Sequence, residues 1–165
     1  MSIPNFEYQV QWSDFTTRDS RPRGETEDAH IHVSFNTNYG IPNNDGEYST
    51  DNVVLTIVMN RHRSWVVRSQ KTASLLAHEQ GHFDITAIGV REIHDALQYI
   101  TGRSAGEVRS EAGRIIQRVQ EAINETNIRY DEETDHSNIV NMQSRWETNL
   151  AAVKSNTNGV LSDLP

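Results

Sequence analysis

Cysteine is absent from this chain of 165 residues. That excludes disulfides and thiolate metal sites, and leaves histidine and carboxylate as the only strong metal ligands. It leaves the redox compartment open, because a cysteine-free protein survives in any of them. Long apolar runs are absent too. None approaches the roughly 20 residues of a membrane-spanning helix, so no membrane span is expected. No basic tract occurs: 15 Lys and Arg against 23 Asp and Glu give a formal charge of −8, and nucleic acid is not an expected partner. Met1 to Phe15 lacks the basic-then-apolar layout of a signal peptide. The chain therefore reads either as intracellular or as a mature form with a start Met added. Its length fits one domain, residues 1–165, with a sizeable core.

What stands out instead is His78-Glu79-Gln80-Gly81-His82, the H-E-x-x-H pattern of zinc metallopeptidases. It falls in a stretch with helical period, flanked by Leu75, Leu76, Ile85, Ile88 and Val90. Residues four apart on a helix lie about 40° apart around it, one turn on, so His78 and His82 can reach one metal ion. Glu79 sits at the edge of the same face, placed to take a proton from an activated water without being a ligand. An ordinary solvated face with two spare histidines is the competing reading. The apolar flanks oppose it, because buried His and Glu need partners.

The rest of the chain reads as strands first and helices after, an α+β pattern with a small antiparallel or mixed sheet followed by three helices. Phe6–Trp12 alternates apolar and polar like a half-buried strand. Thr16–Asp28 reads as a solvated loop. Ala29–Phe35 repeats the strand pattern, with Ala29, Ile31, Val33 and Phe35 inward. Thr37–Asp51 is turn-rich. Val53–Met59 is apolar enough for a central strand, and Ser64–Val67 is strand or turn. The first helix should run from about Lys71 to Tyr99 and end by Gly102. Ser104 and Glu107 form a capping box for a second helix, whose buried stripe is Val108, Ala112, Ile115, Ile116, Val119, Ala122 and Ile123. A third helix over about Asn138–Lys154 should bury Ile139, Met142, Trp146, Leu150 and Val153. The tail from Ser155 reads as frayed.

A catalytic zinc needs a third protein ligand beside an open position. Asp84 lies about 200° from His82 around the helix and points away, as an acceptor for a neighbouring segment. His94 falls on the far side of the same helix. His30 and His32 share the face opposite the apolar set of their strand, and His62 lies between two arginines. All four read as surface or half-buried histidines. The remaining cluster runs from Tyr130 to Ser137, in the connection between the second and third helices. Here His136 is the favoured third ligand with Asp131 orienting it, and Glu132 or Asp131 is the alternative ligand. Tyr130 is the candidate donor to an oxyanion.

The stretch Leu75-Leu76-Ala77-His78-Glu79-Gln80-Gly81-His82-Phe83-Asp84-Ile85, then Tyr130-Asp131-x-x-Thr134-x-His136 and Trp146, resembles a bacterial family of predicted secreted zinc-dependent proteases, catalogued mainly as a domain of unknown function. Trp12-Ser13-Asp14-Phe15 and Ser64-Trp65 fit the pattern more loosely. The resemblance covers about Trp12 to Trp146. It implies a zincin-like peptidase with Zn2+ on His78 and His82, Glu79 as base, functional weight for Tyr130, Asp131, Thr134 and His136, a peptide or protein substrate, and a secreted or periplasmic setting. Ser137 departs from it, standing where the family has Gly. The rival reading is a metal-stabilised binding module without turnover, which an intact Glu79 opposes. A metal-free helical interaction domain is a third reading, opposed by the paired histidines.

Overall fold

The first helix, α1 (Ala73–Leu97), sits at the centre of a mixed α+β arrangement of three small sheets and three helices. A computed structural model describes residues 3–165. Thr72 caps α1 by accepting the Leu75 N–H at 3.1 Å, which satisfies one of the orphan donors of the first turn. Most of α1 is buried, and one apolar cluster runs through it from Ile3 to Leu164.

The strands lie ahead of it in the chain, except for a two-residue one that follows it. β1 (Thr16–Arg18) and β2 (Ala29–His30) flank β7 (Trp65–Val67), parallel and antiparallel respectively. β3 (Val33–Gly40) and β6 (Asp51–Met59) form an antiparallel pair with Val33 opposite Met59. β4 (Asn43–Asn44), β5 (Glu47–Ser49) and β8 (Thr101–Gly102) make the third sheet. α2 (Ala105–Thr134) and α3 (Val140–Ser155) pack on α1. Among the described residues no helix is long and apolar enough to cross a membrane.

Several local expectations change. Phe6–Trp12 is not a strand: the Val10 N–H and the Tyr8 carbonyl pair with the side-chain amide of Gln80, at 2.7 and 3.2 Å. That amide stands in for a neighbouring strand. Part of the charged loop, β1, is a strand. Ala29–Phe35 splits at Ile31–His32, where the chain leaves β7 for β6. The buried Ser64 hydroxyl pins the break by accepting the His32 N–H at 2.9 Å. β6 is not central. Among the described residues its outer edge bonds to Pro4 and Asn5, through the Ile57 backbone.

The helices differ at their ends. α2 runs 30 residues, so Tyr130 to Thr134 lie in its last turns and not in a connection. Ile139 is exposed, and Gln143 is buried in its place on α3. His94 is buried, bonded to Asp95 and Gln98. The tail is held, not frayed. Arg91 donates to the carbonyls of Val153, Lys154 and Gly159, and Leu161 and Leu164 are buried. A C-terminal segment with two apolar anchors and a buried cation under its carbonyls has no reason to fray.

Candidate metal centre

Two helices approach closely because α1 carries glycine where they cross. A Cβ at Gly81 would lie 2.6 Å from Cζ of Tyr130, and one at Gly89 would lie 2.6 Å from Cδ1 of Ile123. The absent side chains leave two notches, filled by Tyr130 and Ile123 of α2. This crossing sets the last turns of α2 against the motif. Asn127, Asp131 and Thr134, spaced four and three apart, share the α2 face turned to α1.

The result is a convergence of three atoms. His78 Nε2 and His82 Nε2 are 3.2 Å apart. Asp131 Oδ1 lies 3.0 Å from each. His136 follows the left-handed C-cap Asp135, and its Nδ1 is 3.5 Å from the same Asp131 oxygen. Among the described residues, His78, Asp131 and His136 form a group that could hold a metal ion, with ligand atoms within 4.8 Å of one another. Asp131 thus stands in the ring of potential ligands itself, and His136 is within reach of the same ion. Glu132 is exposed and lies outside this group.

Glu79 is buried, and its Oε2 has no hydrogen-bond partner. Burial pushes its carboxyl up to about 7. His82 opposes this rise, the charges of Glu27 and Asp131 add to it, and the Ile31 backbone amide draws the carboxyl down. That amide is available because the β2–β3 break releases it from any ladder. Burial favours a neutral His82, yet the Asp131 hydrogen bond, the Asp131 and Glu79 charges and Asn127 outweigh it, and His82 rises to about 9. Burial dominates at His78, which is lowered. At Asp131 the two imidazoles overcome burial and hold the carboxyl well below the usual carboxylate range.

Tyr130 is placed behind this ring. Its hydroxyl is buried, donates to the His78 carbonyl at 3.3 Å and faces the Gly81 notch. Its ring stacks on the His78 imidazole, centroids 4.6 Å apart. It is not among the residues that line the cleft; its ring packs between His78 and Trp146. Asp84 points away from the cluster, accepting from Gln80 at 2.9 Å and from the buried Lys154 at 2.8 Å.

The cluster opens onto a cleft of about 770 Å³ between α1, β2–β3 and α2. Val33 and Phe35 of β3 line it, as do Glu27, His30, Asn127 and His136. Glu27 faces two imidazoles, 3.7 Å from His136 and 3.9 Å from His30. Sequence reasoning missed Glu27, Asn127 and Gln143. The two amides carried a signal: each is a polar residue at a position that the helical period turns inward. Glu27 carried none, because only the tertiary fold brings its loop to the site.

Residues 4–137 match the model of a family described as "Bacterial protein of unknown function (DUF922)". That span is most of the chain, so the chain belongs to this family. No curated protein and no solved structure matches it.

Proposed function

We propose that this DUF922 protein is a zinc-dependent peptidase whose fold is a zincin-like variant. The carrying observation is the triangle of His78 Nε2, His82 Nε2 and Asp131 Oδ1, with sides of 3.0, 3.0 and 3.2 Å. Three ligands at the ~2.0–2.1 Å bonds of tetrahedral zinc lie about 3.3 Å apart, so the donor set fits such an ion in spacing and in chemistry. The buried, unpartnered Glu79 oxygen beside it is the second sign of fit, since a buried polar atom without a partner is costly. When bound, zinc supplies a Lewis acid that makes water nucleophilic near neutral pH.

The chain's own residues supply the rest. Glu79 is held near 7 by burial, where a general base works best at neutral pH. It takes a proton from the attacking water and delivers it to the leaving amine. His136 lines the cleft beside Asp131, its Nδ1 3.5 Å from that carboxylate, and is a donor-type group within reach of the reacting centre. An extended peptide fits the far edge of β3, which among the described residues pairs with β6 alone, on the other side, by main-chain pairing.

A second reading of the ligand set has its own support. The group formed by His78, Asp131 and His136 brings His136 within reach of the same ion as a further nitrogen ligand. Metal analysis of purified protein, combined with cleavage of a peptide library, tests the function. Glu79→Gln should keep its zinc and lose at least about 100-fold in hydrolysis. Undiminished turnover in that variant sinks the mechanism. Zinc binding with no cleavage of any peptide by the unaltered protein leaves the binding module instead.

A further inference from the structure

We infer that Asn127 and Gln143 are positioning residues that determine which nitrogen of each motif histidine faces the metal; this rests on the metal-centre reading above. Each amide touches the Nδ1 side of one imidazole. His82 Nδ1 is 2.7 Å from Asn127 Oδ1, and His78 Nδ1 is 3.2 Å from Gln143 Oε1.

The direction of these bonds follows from groups that can only accept. Asn127 Nδ2 donates to the Ile123 carbonyl at 3.0 Å. A carbonyl cannot donate, so the NH2 of Asn127 must face it and the amide oxygen must face His82. Gln143 Nε2 lies 2.9 Å from the Glu147 carboxylate and 2.9 Å from the Tyr130 hydroxyl. The carboxylate again claims the NH2, and Gln143 Oε1 is left toward His78. Thr134 points the same way: its hydroxyl donates to the Tyr130 carbonyl at 2.7 Å, so only its lone pairs remain for His78 Nδ1 at 3.5 Å. Both Nδ1 atoms therefore carry hydrogen. On the other side each Nε2 faces Asp131 Oδ1 at 3.0 Å, a carboxylate that accepts from it in the metal-free protein; a bound zinc displaces that hydrogen and leaves the one on Nδ1.

A neutral imidazole with hydrogen on Nδ1 has its lone pair on Nε2. Both Nε2 atoms then aim at one point beside Asp131. The acceptors are neutral amides where carboxylates often serve in metal sites, so they orient the rings without adding charge to a centre that already contains Asp131 and Glu79.

Asn127→Leu and Gln143→Met remove each acceptor at nearly constant volume. Each should weaken zinc binding by about 10–100-fold, the usual effect of losing such a partner. Asn127→Asp, which restores an acceptor to His82, should stay within a few-fold of the unaltered protein. Long-range 1H–15N spectra of the imidazoles in the zinc-loaded protein should show the proton on Nδ1 in both rings. A proton on Nε2 in either ring overturns the inference, as does unchanged affinity in both deletion variants. If a variant fails to fold, the spectrum of the unaltered protein decides. If zinc never binds, the metal-centre reading fails, and the metal-free spectrum still decides here: hydrogen on Nδ1 of His78 supports the assignment, with or without a second one on Nε2 toward Asp131, and a bare Nδ1 overturns it.

Discussion

Gly81→Ala sets two physical effects against each other. Helix propensity alone favours Ala over Gly by about 1 kcal/mol inside a helix, so on local grounds the variant gains stability. Packing opposes it. The new Cβ would lie 2.6 Å from Cζ and 2.8 Å from Cε1 of Tyr130, where ordinary carbon contact is about 3.5–4.0 Å. Something must move by about 1 Å to restore that spacing. The tyrosine ring cannot yield alone, because it is fully buried between the His78 imidazole and Trp146, at 4.6 and 5.1 Å between centroids. The helices must part. Overpacking costs about 1–3 kcal/mol, and an overlap this deep belongs at the upper end, which leaves a net loss of about 2 kcal/mol after the propensity gain. For a chain of this size that is a fall in Tm of roughly 4–8 °C. Parting α1 from α2 also draws His78 and His82 away from Asp131, so zinc affinity should fall in the same variant. Thermal melts with and without zinc, and a zinc titration, are the assays. A variant that melts at or above the unaltered protein refutes the notch argument.

The ligand set separates with two variants. If Asp131 is the third ligand, Asp131→Asn should abolish tight zinc binding while His136→Ala keeps the metal and loses turnover; if His136 is the ligand, His136→Ala empties the site. In the metal-free protein, His82 is raised to about 9 and Glu79 to about 7. Groups whose folded pKa is raised stabilise below their unfolded value and lose that contribution as pH rises through the folded one. Below about pH 6.5 the lowered His78 opposes the raised Glu79; above it His82 gives up its contribution and Glu79 finishes losing its own. Urea unfolding should therefore show stability falling from about pH 6.5 to about pH 9, and saturating zinc should flatten the fall; stability that rises over this window without zinc contradicts the placement of these groups. Asp135, His136 and Ser137 all have positive φ, 45°, 51° and 77°, a conformation that costs a non-glycine residue about 1 kcal/mol. Ser137→Gly should stabilise the loop by up to about 1 kcal/mol, less the entropy that glycine adds to the unfolded chain, and a clear loss of stability in urea would show that the serine side chain matters more than the backbone.

What the sequence determined by itself was local. His78, Glu79 and His82 could be read on one helical face because their relation depends only on 3.6 residues per turn, which holds wherever the helix lies. The cap at Ser104 and the strands-then-helices order are of the same kind, set by neighbours in the chain. The period-2 signal of Phe6–Trp12 holds only in its middle: Phe6 and Glu7 lie in a turn and Trp12 opens a 3-10 helix. Between them Val10 pairs with the Gln80 amide, 70 residues away in the chain, in place of a strand. The tail misled for the same reason, since nothing local announces that Arg91 will hold its carbonyls.

Tertiary structure decided the rest of the centre. Asp131 and His136 were visible as ligand-type residues, but their order around the metal depends on where α2 ends and how close it comes to α1. The length of α2 carries Asp131 to the two imidazoles and leaves His136 on a left-handed turn beside them. The closeness comes from Gly81, whose missing side chain is a matter of volume between two helices and cannot be seen from either alone. The hydrogen bonds that orient each ring come from Asn127 and Gln143, 45 and 65 residues from the histidines they meet. Such pairs have no sequence period, because contact between distant segments is fixed by packing and not by backbone geometry.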